Sequence, residues 1–140
     1  MTTNLLTKPQ RYYLHPSRRI LLVEDNDINR MLLSDYLSYC NYNVKGLSNA
    51  ADFFLSIDTF QPDLILLDLK LPDINGYVLL EKIQQQPNLL KIPIIVVSAF
   101  AFKSDQEKAM NLGARSYFVK PINLNLLTLA IEQELAYSCI

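Results

Sequence analysis

Glycine is scarce in this chain: Gly46, Gly76 and Gly113 are the only three in 140 residues, and no two are close together. A Walker-type phosphate loop bunches glycines ahead of a Lys-Ser/Thr pair, so such a nucleotide site is excluded. Cysteine is scarcer still. Cys40 and Cys139 lie about a hundred residues apart without C-x-x-C spacing, which rules out a zinc site or a disulfide framework and fits reduced thiols in a cytosol. No apolar run approaches the ~18 residues of a membrane span. Only Leu5-Leu6 stand where a signal peptide needs a longer apolar stretch. Neither charge dominates: 13 basic residues face 14 acidic ones, net −1, which gives no support to a polyanion-coating protein. The expectation is a cytoplasmic protein with no membrane contact and no direct nucleic-acid partner.

What is there is a core. Half the chain is apolar and 19% is charged, the balance of a folded chain of one ordinary domain. Residues 1–17 are mixed and polar, hold two prolines and show no sustained period, so they read as a flexible tail. Residues 18–140 read as the domain.

Within it, short apolar runs alternate with amphipathic stretches. Arg19 to Val23 is a continuous run, as expected of a strand buried on both faces. Glu24-Asp25-Asn26-Asp27 stops it and supplies a helix N-cap, after which Ile28, Met31, Leu32, Tyr36 and Cys40 recur at helical spacing. Tyr42–Leu47 reads as a weaker strand, Asn49–Phe60 as a helix, Leu64–Leu67 as a strand and Tyr77–Gln86 as a helix. Ile92–Val97 is a further strand, followed by a helix over Lys103–Leu112 with Gly113 at its left-handed C-cap. Arg115–Val119 and Asn123–Tyr137 complete the series as strand and helix. Five strands alternating with five helices predict an α/β fold, a parallel sheet covered on both sides with right-handed crossovers.

In such sheets ligands bind at the carboxyl ends of the strands. The first strand ends in Glu24-Asp25, the third in Asp68, the fourth in Ser98 and the fifth in Lys120-Pro121. Three carboxylates, a hydroxyl and an ammonium therefore share one rim. Clustered carboxylates repel unless a cation relieves them, and a hard divalent ion such as Mg²⁺ takes oxygen ligands of this kind. A metal, a lysine and a hydroxyl around one carboxylate suit an aspartate that itself accepts a phosphoryl group.

Four stretches now bear on one another: IleLeuLeuValGluAspAsn (20–26), LeuIleLeuLeuAspLeuLysLeuProAspIleAsnGly (64–76), IleIleValValSerAla (94–99) and TyrPheValLysPro (117–121). In this order and at these intervals they resemble the receiver domain of two-component response regulators, over about Arg18 to Tyr137. The resemblance implies a flavodoxin-like (βα)5 doubly wound sheet with strand order 2-1-3-4-5. It casts Asp68 as the phosphoacceptor and Asp25 as the main Mg²⁺-binding acid. Glu24 stands beside it where many receivers carry a second Asp, and the backbone carbonyl of Lys70 would complete the protein's ligands. Lys120 matches the lysine that pairs with the acceptor and then with phosphoryl oxygens. Ser98 takes the hydroxyl switch position and Tyr117 the aromatic one. The Lys120-Pro121 bond is expected to be cis, as is usual in the family.

The mechanism so implied is in-line attack of Asp68 on a partner's phosphohistidine, catalysed mostly by positioning and charge. The acyl phosphate would draw in Ser98, free Tyr117 to swing inward, and so bias a two-state equilibrium at the face of the fourth helix, fifth strand and fifth helix. Partners implied are a sensor histidine kinase or histidine phosphotransfer protein, an unidentified downstream protein, and, as in receivers that pair, a second copy of the chain. The protein would act as a stand-alone switch that catalyses only its own phosphoryl transfer and loss, not as an enzyme on other substrates. Lys70 and Phe100 flank the path of hydrolytic water, and a phenyl ring cannot orient water, so slow self-dephosphorylation is expected. Phe100 and Phe102 read either as an exposed aromatic patch for a partner or as a staple on the following helix. The run 24–30 is similar to receivers joined to hybrid sensor kinases and suggests docking on the first helix through Ile28 and Met31. Two other readings compete: a receiver-fold adaptor that works without phosphorylation, and a haloacid-type phosphatase. The latter wants a second acid two residues after its aspartate, where Lys70 stands here.

Overall fold

The computed structural model describes residues 17–138, so nearly all of the expected N-terminal tail, and Cys139 with it, lies outside the described residues. The elements run β1 (Arg19–Val23), α1 (Asp27–Tyr39), β2 (Asn43–Leu47), α2 (Phe53–Phe60) and β3 (Leu64–Leu67). They continue with α3 (Gly76–Gln84), β4 (Ile94–Ser98), α4 (Lys103–Asn111), β5 (Ser116–Val119) and α5 (Leu124–Ser138). The strands form one parallel sheet in the order β2-β1-β3-β4-β5, as the resemblance implies.

Both faces of the sheet are covered, which is why its central strands read as unbroken apolar runs rather than alternations. Ile20, Leu22, Leu64, Leu66, Ile95 and Val97 face α1 and α5, packing on Leu33, Leu37, Leu127 and Ile131. Their neighbours Leu21, Val23, Ile65, Leu67, Ile94 and Val96 face the other way, onto Phe53, Ile57, Leu80, Ile83 and Ala109 of α2, α3 and α4. Burying one such aliphatic side chain is worth roughly 1.5–3 kcal/mol, so this double layer is the main stabilising element.

Some boundaries differ from the expectation. The helix expected from Asn49 begins at Phe53, because the preceding amides are bonded sideways. Ala50 N–H donates to the Asp73 carboxylate at 3.0 Å, and Ala51 N–H to the Asn49 side chain at 3.0 Å. The fourth strand starts at Ile94 rather than Ile92, just after Pro93, which has no N–H to give a ladder. On α1 the expected stripe is turned. Leu33, Leu37 and Cys40 are the buried positions, while Ile28, Met31 and Leu32 are exposed. Asn26 caps α1 as expected, accepting from Asn29 N–H at 2.9 Å, and Gly113 follows α4 at φ 102°.

Candidate functional site at the carboxyl rim of the sheet

Consecutive strands deliver the site residues to one rim. Glu24 N–H is held by the Leu47 carbonyl at 2.9 Å and Asp68 N–H by the Val23 carbonyl at 2.9 Å, so ladder bonds continue into the acids themselves. Ligand oxygens of Glu24, Asp25 and Asp68 all lie within 4.8 Å of one another. They open onto a cavity of about 530 Å³ lined also by Asn26, Asp27, Asn29, Lys70, Ala99 and Lys120. Asp25 is exposed, whereas Glu24 (3% exposed) and Asp68 (4%) are buried at its floor.

Two buried carboxylates need a counter-charge, and Lys120 provides it. Its Nζ donates to Glu24 Oε1 at 2.6 Å and to Asp68 Oδ2 at 2.9 Å. The second oxygens are also used: Glu24 Oε2 accepts from Asn26 N–H at 3.0 Å, and Asp68 Oδ1 from Lys70 N–H at 3.1 Å. Burial pushes the Glu24 carboxyl up, and the bonds from Lys120 and Asn26 offset this only in part. For Lys120, burial favours the neutral amine, but the hydrogen bonds to Asp68 and Glu24 outweigh it and raise its pKa above that of an ordinary lysine. The donor set is all oxygen and rich in negative charge, which fits a hard divalent cation.

The loop after β3 depends on one glycine. Gly76 N–H donates to the Leu69 carbonyl at 2.8 Å, and a Cβ on Gly76 would stand 2.4 Å from Leu69 Cα. Lys70 and Asn75 bridge across the same turn, so this close approach closes the loop that carries Lys70, whose N–H donates to Asp68 Oδ1. The Lys120-Pro121 bond is cis, as expected.

Ser98 is placed differently from the acids. It is fully buried, does not line the cavity, and its Oγ accepts from Phe100 N–H at 3.0 Å. Tyr117 is half-buried; its hydroxyl donates to the Phe100 carbonyl at 2.7 Å and lies beside Ser98. Burial, first of all, raises its pKa. The paired aromatic patch does not form. Phe102 is 77% exposed, while Phe100 packs against the core below the β3–α3 loop because both of its backbone groups are tied inward. Ile28 (64%) and Met31 (54%) are exposed on α1, as a docking role requires.

Three participants escaped the sequence reading. Tyr77 on α3 donates to Asp105 Oδ1 at 3.0 Å, and Asp105 Oδ2 accepts from Phe102 N–H at 3.2 Å, pinning the start of α4. Burial and then Asp105 push the Tyr77 hydroxyl up to about 12, and Lys108 Nζ sits 4.3 Å from its ring centroid. The third is Arg30, which grips the turn between β1 and α1. An acid at the third position of a helix was a usable signal for Asp105, since it can cap the amide three residues back. Nothing local marks Tyr77, whose partner is 28 residues away.

A doubly wound parallel sheet, with an acid-floored cavity at its carboxyl rim and a lysine bridging two of the acids, defines the class of aspartate-centred α/β signalling domains. The chain matches the response regulator receiver domain family over residues 20–132 and belongs to it. It is 32% identical over 107 residues to the polar-differentiation response regulator DivK of Brucella anthropi, covering 76% of this chain and 87% of that one. The solved receiver domain protein (CheY-like) of Methanospirillum hungatei JF-1 is 30% identical and superposes with a TM-score of 0.75, covering 86% of this chain and 95% of that one. A signal receiver domain of a histidine kinase from Syntrophus aciditrophicus is 26% identical with a TM-score of 0.78, covering 86% and 91%. This is a receiver-domain response regulator of two-component signalling. Among the described residues no helix is long and apolar enough to cross a membrane.

Proposed function

We propose that Asp68 accepts a phosphoryl group from a phosphohistidine on a sensor kinase or phosphotransfer protein in the cytoplasm. The observation that carries this is a buried carboxylate at the floor of an open cavity, paired with a lysine whose ammonium it shares with a second acid. An Asp68 oxygen attacks phosphorus, a P–O bond forms and the P–N bond breaks. The bonding pair returns to the imidazole nitrogen, which leaves neutral or takes a proton. Lys120 stays cationic and can follow the negative charge from the carboxylate to the phosphoryl oxygens without leaving the cavity. Asp25, Asp68, Glu24 and the Lys70 carbonyl would hold Mg²⁺, which would add positive charge beside the reacting group. Glu24 and Asp68 each have both oxygens bonded within the protein, so Asp25 is the acid most open to a cation.

Tyr117 and Phe100 are then the reporters of the phosphoryl group, through Ser98. Exposed Ile28 and Met31 on α1 receive the phosphodonor, and exposed Phe102 belongs to the surface that a downstream protein, or a second copy, reads. The test is incubation with Mg²⁺ and acetyl phosphate, reading intact mass. One added phosphoryl group, lost in Asp68→Asn, is expected. No gain under conditions that label another receiver overturns the reading. The competing reading is an adaptor of the same fold that works without phosphorylation. That reading predicts the same partner affinity for wild type and Asp68→Asn.

A further inference from the structure

The turn between β1 and α1 is held from outside by one side chain. Arg30 Nη1 donates to the Glu24 carbonyl at 2.8 Å and reaches the Asp25 carbonyl at 3.4 Å, while Nη2 donates to Asp27 Oδ1 at 2.6 Å. Its stem lies across the edge strand at Gly46, where a Cβ would sit 3.1 Å from Arg30 Cδ and 3.2 Å from Cγ. The contact with Asp27 is an ordinary exposed i,i+3 pair and contributes little, since that carboxylate stands in solvent. The carbonyl bonds are different in kind. They fix the planes of the two peptides that follow Glu24 and Asp25, and those planes set the direction in which the Asp25 side chain leaves the backbone.

From this we infer that Arg30, seated on the bare backbone of Gly46, is a positioning residue that aims Asp25 and Glu24 into the cation site. It touches neither the acceptor Asp68 nor any of the three clustered carboxylates, and acts only through the turn. The planar fork matters, because the Nη2 contact with Asp27, weak as it is, fixes the plane in which Nη1 meets the carbonyls, whereas a lysine ammonium is a compact charge with no such plane. Gly46 matters because a side chain there occupies the space of the arginine stem. The inference rests on the reading of Glu24, Asp25 and Asp68 as a cation-binding set.

The experiment is calorimetric titration of Mg²⁺ into the full chain as wild type, Arg30→Lys, Arg30→Met and Gly46→Val, with urea unfolding of each. Loss of such an outer partner typically weakens metal binding ~10-fold or more, and that is expected for Arg30→Met, with Arg30→Lys recovering little of it. Gly46→Val should weaken binding in the same direction while its unfolding midpoint holds or rises, because a β-branched residue suits a strand better than glycine. That split separates positioning from general destabilisation. Amide resonances of residues 24–27 should move in all three variants, with or without Mg²⁺. Wild-type binding shared within ~2-fold by all the variants, well short of that expected loss, overturns the role of Arg30 and leaves the cation site standing. Absence of Mg²⁺ binding in the wild type itself overturns both.

Discussion

Replacing Lys120 by methionine keeps the volume of the side chain and removes a cation bonded to two buried acids. Glu24 and Asp68 are both nearly inaccessible, and Lys120 bonds to them at 2.6 and 2.9 Å. Taking one partner out of a buried ionic cluster typically costs 3–5 kcal/mol, because the charge left behind has lost its compensation. Lys120 is itself only part-buried, so the low end applies, about 3 kcal/mol. With a urea slope of about 2 kcal/mol/M, the unfolding midpoint should fall by about 1.5 M at neutral pH. The pH dependence follows from the direction of the Glu24 shift. Its carboxyl is already raised above 4.5 and rises further without the ammonium, so the folded variant holds a proton that the unfolded chain has released. The cost is therefore small in acid and opens as pH rises through the raised value. Mg²⁺ should return part of the lost stability, more in the variant than in wild type. A midpoint change below ~0.5 M, constant from acid to neutral pH, would refute the electrostatic account of the site.

Phe100→Glu should shorten the phosphoryl lifetime, measured by loss of the added mass over time, since a carboxylate can orient hydrolytic water where the ring cannot; an unchanged lifetime counts against this. The Tyr77 hydroxyl, raised from 10.0 to about 12, favours the folded chain below 10, and this advantage is lost as pH climbs toward 12. The loss is about 2–3 kcal/mol by linkage, and urea midpoints on either side of pH 10 should show it, flattened in Tyr77→Phe. At neutral pH that variant should cost about 1 kcal/mol for the lost bond to Asp105. Gly76→Ala puts a methyl 2.4 Å from Leu69 Cα, against backbone that cannot step aside. Roughly 3 kcal/mol of stability should go, read as a lowered thermal midpoint, and Mg²⁺ affinity with it.

The sheet was legible because its strands are covered twice. Residues such as Leu64–Leu67 need no alternation when each face has its own helices, and an unbroken run bounded by polar residues is a strong pattern. The acids were legible for a related reason, since each directly follows a run whose direction is fixed by the crossover. Helix starts were less so. The alternating polar and small residues 48–52 can continue a helix as well as end a loop, and the deciding bonds come from Asp73 in another segment. The orientation of α1 misled because Met31, Leu32 and Leu33 are all apolar, and periodicity does not say which of them a partner covers. Arg30 works through backbone carbonyls and Tyr77 through a contact between α3 and α4, neither of which leaves a mark in residue spacing; only Asp105, at the third position of its helix, leaves one.

The two apolar clusters, one under α1 and α5 and the other under α2, α3 and α4, have no side chain in common. The sheet between them is a wall shared only as backbone. Ile28 and Met31 stand outside the first compartment, and the Tyr77–Asp105–Phe102 linkage belongs to the second. Changes on opposite sides of such a wall lack shared neighbours, and effects at sites more than about 7–10 Å apart generally add. The architecture thereby insulates its two surfaces: the residues exposed on α1 can drift without disturbing the packing around the Tyr77–Asp105 contact.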